Sequence, residues 1–164
     1  MYFQQTRNNS CGAAALIIFL KHYNIDCSED DLYIALNIKK KGTCQKELRE
    51  LLFNMGLHFD EFCQGCLHPD SKKLIRNNLV TLTNNPLYKL QYYLDKGKPV
   101  LLNILSKRGT GHFVVATSYD ETNIIVNDPD PKKLGGGRNI KISKKSLEKR
   151  WVSGNRYWHK WMLV

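Results

Sequence analysis

The spacing of the apolar residues changes once along this chain, and that change limits what it can fold into. In the first third they recur three and four apart: Ala13, Leu16, Ile17, Leu20 and Tyr23 share a broad face of a helix over residues 12–22. Ser10 is placed to cap its start. Ser28 followed by Glu29, Asp30 and Asp31 predicts a second helix, running to about Asn37. Leu48, Leu51, Leu52 and Met55 form one face of a third, which begins after Gly42-Thr43 and ends at Gly56. From Pro99 the apolar runs become β-branched or alternating, and residues 99–105, 112–119, 123–128, 138–143 and 157–164 predict strands. Ser143 to Trp151 reads as a short helix between the last two. In the middle, 57–63 alternates as a strand does, and 71–82 fits a helix or a strand. Asn85-Pro86 opens a helix that Lys96-Gly97 closes. Helices first and hairpin-linked strands afterwards predict an α+β domain, with the N-terminal helices packed on an antiparallel sheet.

At 164 residues, 42% of them hydrophobic and 24% charged, the chain is expected to form a single domain over 1–164 without needing staples. The glycines at 135–137 predict a mobile turn rather than a linker. No apolar run approaches a bilayer-spanning length, and no basic segment precedes an apolar one at the N-terminus, so neither anchor nor signal peptide is expected. The 25 Lys and Arg against 15 Asp and Glu give a net charge of +10, which favours an acidic partner. The basic residues are scattered, as at Lys39 to Lys41, Lys72-Lys73 and Lys144-Lys145, and no nucleic-acid recognition motif accompanies them. That argues against nucleic acid as the partner.

Five cysteines, at 11, 27, 44, 63 and 66, are odd in number and lack the density of a secreted disulfide scaffold, so a reducing compartment is the simpler expectation. Cys63 and Cys66, with His68 following, could hold a metal or form a disulfide. A second ligand pair at zinc-site spacing is missing, so no metal or other cofactor is expected.

Cys11 stands apart because it opens an apolar helix. A thiol there lies in the positive end of the helix dipole, which favours the thiolate. A cysteine nucleophile also needs a base, a group that orients the base, and donors for the oxyanion. Of the five histidines, His22 is about three turns along the Cys11 helix, and His58, His68 and His159 have no obvious carboxylate partner. His112 opens a strand directly after Gly111, and the next strand ends in Asn127-Asp128-Pro129. If those two strands are antiparallel neighbours, His112 and Asp128 come together. Each residue alone also has an ordinary structural reading: a helix start, a strand edge, a turn opener.

Gln5 six positions before Cys11-Gly12, the block Gly111-His112-Phe113-Val114-Val115, and Asn127-Asp128-Pro129 together resemble the peptidase C39 group. These are papain-like cysteine peptidases that mature bacteriocin and peptide-pheromone precursors. Gly42-Thr43 with Leu48, Leu51 and Leu52, and the tail around Trp151, extend the likeness over nearly the whole chain. The resemblance implies Cys11 as nucleophile, His112 as general base and then acid, Asp128 as the group orienting the imidazole, and Gln5 as oxyanion donor with the Cys11 amide. It implies a peptide or protein substrate.

Ser10 stands where many members carry aspartate, and no transporter segments accompany the domain. The expected settings are therefore a free-standing processing peptidase in the cytoplasm, or a module of a delivered toxin with a cognate inhibitor or immunity protein. Transpeptidation or other acyl transfer on the same residues, and a non-catalytic basic binding module, are the alternatives.

Overall fold

The computed structural model describes residues 2–40, 42–66, 69–106, 109–130, 132, 137–152 and 158–164. The first helix, α1 (Cys11–Lys21), is buried from Cys11 to Leu20. Its sequence, CGAAALIIFLK, is apolar all round rather than on one face, which suits a helix enclosed on every side. Around it lie α2 (Glu29–Ala35) and α3 (Gln45–Asn54), followed by the short strands β1 (Glu61–Cys63) and β2 (Gly65–Cys66). Next come α4 (Pro69–Arg76), β3 (Thr81–Leu82) and α5 (Pro86–Asp95). The strands β4 (Val100–Leu105), β5 (Gly111–Tyr119), β6 (Asn123–Asn127) and β7 (Ile140–Ser143) lead into α6 (Lys144–Arg150), and β8 (Trp158–His159) and β9 (Met162–Leu163) close the chain.

One sheet has the order β3-β1-β9-β4-β5-β6-β7, and β2 pairs with β8 separately. The expected antiparallel sheet is found from β1 to β7, whereas the edge pair β1 and β3 is parallel. Side chains alternate across this sheet as the strand pleat requires. Leu101, Phe113 and Val115 join the core around α1, while Val100, Leu102, Val114 and Ala116 join the core under α5 and α6. Helices thus cover both faces, with α5 and α6 on the face away from α1. The segment 57–63 is a strand only over its last three residues, and the terminal run splits into β8 and β9 at Lys160, whose φ is +51°. The turn expected at 135–137 lies largely outside the described residues. Among the described residues no helix is long and apolar enough to cross a membrane.

The start of α1 is held by a close backbone approach. A Cβ placed on Gly12 would lie 2.1 Å from the Cγ2 of Thr43 and 3.4 Å from the Phe113 ring, so only glycine lets these groups meet. Thr43 is fixed in turn, its Oγ1 donating to Glu47 Oε2 at 2.6 Å, and Glu47 Oε2 also accepts the Cys44 N–H at 2.7 Å. The Gly42-Thr43 turn and the Cys11-Gly12 turn are therefore two halves of one contact.

Candidate active site

Cys11 is the first residue of α1, and its side chain lies 7% exposed against the sheet. His112 is the second residue of β5, and Asp128 follows the last residue of β6. The register explains their meeting: Val115 pairs with Asn127, so the beginning of β5 runs beside the end of β6. Both side chains are fully buried, and His112 Nε2 lies 2.6 Å from Asp128 Oδ1. A carboxylate accepts, so Nε2 carries the proton and Nδ1 is the nitrogen left for the thiol. Nδ1 makes no hydrogen bond of ordinary geometry, but a thiol bonds longer and more weakly than a hydroxyl, and the Cys11 side chain does act on the ring. Burial pulls the His112 pKa down, yet hydrogen bonds with Asp128 and Cys11 and their charges outweigh it and push it up to about 9. The ring is thereby favoured in its protonated form beside a thiol at a helix N-terminus.

Asp128 is itself held. Its N–H donates to the Gly137 carbonyl at 2.8 Å, and its Oδ1 accepts the Asp130 N–H at 2.8 Å in a local turn. Arg150, at the end of α6, donates from Nε and Nη2 to the Leu105 carbonyl at 2.8 and 2.6 Å, and Asp128 lies within electrostatic reach of its guanidinium. Leu105 pairs with Gly111, so this arginine braces the strand end that carries His112.

Gln5, in the segment before α1, lies against the same loop, its N–H donating to the Pro129 carbonyl at 2.9 Å. Its side-chain Nε2 donates to the Arg7 carbonyl at 3.1 Å and, weakly, to Asp130 Oδ2 at 3.5 Å. The amide must turn from these acceptors to meet an oxyanion. Gln4 is exposed.

Ser10 does not cap α1 through its side chain, contrary to the sequence expectation. Its hydroxyl lies 2.7 Å from the Arg7 carbonyl and 2.6 Å from Glu29 Oε1 instead. Glu29, Asp130, Arg150 and the Gly12–Thr43 contact are the parts of the site that sequence reasoning missed. The Ser28-Glu29 signal read as a helix start, and Gly12 and Gly42-Thr43 were singled out without their contact.

The other cysteines separate cleanly. Cys27 and Cys44 are thiols whose pKa values are raised by burial and by neighbouring carboxylates. Cys63 is disulfide-bonded, which removes it as a metal-ligating thiolate. His68 lies outside the described residues. His22 caps the far end of α1, and His58 stacks edge-on with Phe53.

The chain belongs to the Peptidase_C39 like family, whose model matches residues 1–157. That makes it a member of a cysteine peptidase family. It is 25% identical over 151 residues, 92% of its length, to the pediocin PA-1 transport/processing ATP-binding protein PedD of Pediococcus acidilactici, and spans only 17% of that protein. Its fold is that of the peptidase domain of Streptococcus ComA, a bi-functional ABC transporter, with a TM-score of 0.69 at 18% identity, covering 99% of this chain and 95% of that one. A double glycine motif protease from an AMS/PCAT transporter, solved with its leader peptide, superposes with a TM-score of 0.67 at 17% identity over 100% of this chain and 89% of that one. A C39-like peptidase from Bacillus anthracis gives 0.67 at 14% identity, covering 100% and 94%.

Proposed function

We propose that this chain is a processing peptidase that cuts a peptide bond by thiol chemistry, with Cys11 as nucleophile. The observation that carries the reading is the buried His112–Asp128 hydrogen bond of 2.6 Å, whose imidazole also engages Cys11 at the start of α1. The Cys11 thiolate attacks the scissile carbonyl carbon, and the carbonyl π electrons move to oxygen. The oxyanion is met by the Cys11 backbone N–H at the helix N-terminus and by the Gln5 amide, once it turns from Arg7. The oxyanion collapses, the C–N bond breaks, and imidazolium His112 gives its proton to the leaving amine. A thioester remains. Neutral His112 then takes a proton from water, whose oxygen attacks the thioester and releases the acid and the thiolate. Asp128 holds the ring in the tautomer that both steps need.

The substrate class proposed is a leader peptide with small residues before the cut, since the AMS/PCAT relative is a double glycine motif protease. The test is a peptide with a double-glycine site, incubated with the protein and read by mass spectrometry, with hydroxylamine as a competing acceptor. Cleavage by wild type, none by Cys11→Ala or His112→Ala, and partial activity in Asp128→Asn but less in Asp128→Ala are expected. Hydroxamate formed beside the acid would report the thioester, and cleavage by Cys11→Ala would overturn the nucleophile.

A further inference from the structure

Five residues, Thr6 to Ser10, join the two groups that the proposed function assigns to the oxyanion, the Gln5 amide and the Cys11 N–H. The segment is neither helix nor strand, and Asn9 within it has a φ of +64°. A loop of this kind does not hold its ends at a fixed separation unaided, yet oxyanion stabilisation depends on donors preset in space.

One carboxylate supplies the constraint. Glu29, the first residue of α2 and only 6% exposed, accepts from both ends of the segment. The Thr6 N–H lies 3.1 and 3.0 Å from its two oxygens, the Thr6 hydroxyl donates to Oε2 at 2.5 Å, and the Ser10 hydroxyl lies 2.6 Å from Oε1. The Arg7 carbonyl, which accepts the Gln5 amide at 3.1 Å, lies 2.7 Å from that same Ser10 hydroxyl. A continuous set of contacts therefore runs from Glu29 through Ser10 and Arg7 to the Gln5 side chain. The flanks of α2 add to the clamp, with Arg7 paired to Asp30 at 2.7 Å and lying over the Tyr33 ring.

We infer that Glu29 is a positioning residue for the reaction: by clamping Thr6 and Ser10 it sets the separation of the Gln5 amide from the Cys11 N–H. The inference rests on the reading of Gln5 as an oxyanion donor. Among the described residues Glu29 hydrogen-bonds to Thr6 and Ser10 and not to Asp128 or His112, so its loss is expected to disturb the oxyanion geometry and leave the Cys11–His112 pair in place.

That difference is measurable, because the two halves of the chemistry can be probed apart. Alkylation of Cys11 by iodoacetamide is displacement at a saturated carbon and uses the thiolate alone. Acylation by p-nitrophenyl acetate forms an oxyanion and uses the donors as well. Glu29→Ala is expected to slow the acylation burst by roughly ten- to a hundred-fold, the cost of misplacing catalytic groups by an ångström or less. Its alkylation rate at Cys11 should match wild type. Glu29→Gln should restore acylation: its oxygen accepts from Thr6, and its NH2 donates to Ser10, whose proton is then free for Arg7. The variant lacking both Gln5 and Glu29 side chains should be no slower than Gln5→Ala alone.

Equal losses of alkylation and acylation in Glu29→Ala would overturn the inference in favour of a general folding role, as would a loss that adds to that of Gln5→Ala. Wild-type acylation in Glu29→Ala alongside a slow Gln5→Ala would overturn Glu29 and leave Gln5 standing. Wild-type acylation in Gln5→Ala, with Cys11→Ala inert, would remove the reading on which the inference rests.

Discussion

Gly12→Ala adds one methyl group at the most constrained point beside the proposed nucleophile. Alanine is the better helix former, by about 1 kcal/mol in a helix interior, so propensity alone favours the change. Packing opposes it. The new Cβ would sit 2.1 Å from Thr43 Cγ2, whereas methyl carbons rest about 3.5–4.0 Å apart, so the α1 start and the Thr43 turn must separate by roughly 1.5 Å. Rotating Thr43 aside would give up its 2.6 Å bond to Glu47, which helps close the α3 N-terminus. That bond contributes about 1 kcal/mol, and overpacking elsewhere costs about 1–3 kcal/mol. The net expectation is a loss of about 1–3 kcal/mol, the sum of those costs less the helix gain. Thr43→Ser removes Cγ2 and keeps the hydroxyl, so the double variant should recover most of the loss. Urea unfolding of wild type, both single variants and the double variant measures each corner of this cycle. Gly12→Ala as stable as wild type, or a double variant whose loss is the sum of the singles, would refute the contact.

Glu61 is buried between Arg49, which it meets through two hydrogen bonds of 2.5 Å, and the Trp161 ring N–H. Glu61→Ala should therefore cost about 3–5 kcal/mol in the same unfolding assay, because it takes a buried carboxylate away from a largely buried guanidinium. The folded pKa of His112, about 9, lies above its ordinary 6.5, so its partners add stability that is fully present below pH 6.5 and is lost as pH rises through about 9. Thermal unfolding across that window should show wild type losing stability relative to His112→Asn, and parallel curves would count against the imidazolium.

What could be read from the sequence was what is local or follows from the order of elements. Ser28 and Asn85 were legible as helix caps because each accepts from a backbone N–H three residues on, Asp31 and Tyr88. The meeting of His112 with Asp128 was legible because one short turn joins β5 to β6. Ser10 has the same chemistry as Ser28, but Glu29, nineteen positions away, draws its hydroxyl off the helix. No spacing rule announces such a partner. The run 71–82 was ambiguous because it holds both the end of α4 and the two-residue β3, whose parallel pairing with β1 depends on tertiary placement. The full burial of α1 was understated for a similar reason: Ala14 and Ala15 fall outside the apolar face set by Ala13, Leu16, Ile17, Leu20 and Tyr23, yet neither is exposed at all.

The central claim is that Cys11 is a thiolate paired with protonated His112, and ultraviolet titration of the thiolate tests it most directly. The absorbance of wild type minus that of Cys11→Ala, followed across pH, isolates Cys11 from Cys27 and Cys44, which burial holds above the ordinary thiol value. Cys11 is expected to ionise well below the ordinary thiol value of about 8.5, and its midpoint to rise in a His112→Ala background. A Cys11 midpoint at or above those of Cys27 and Cys44, or one that His112→Ala leaves in place, would contradict it.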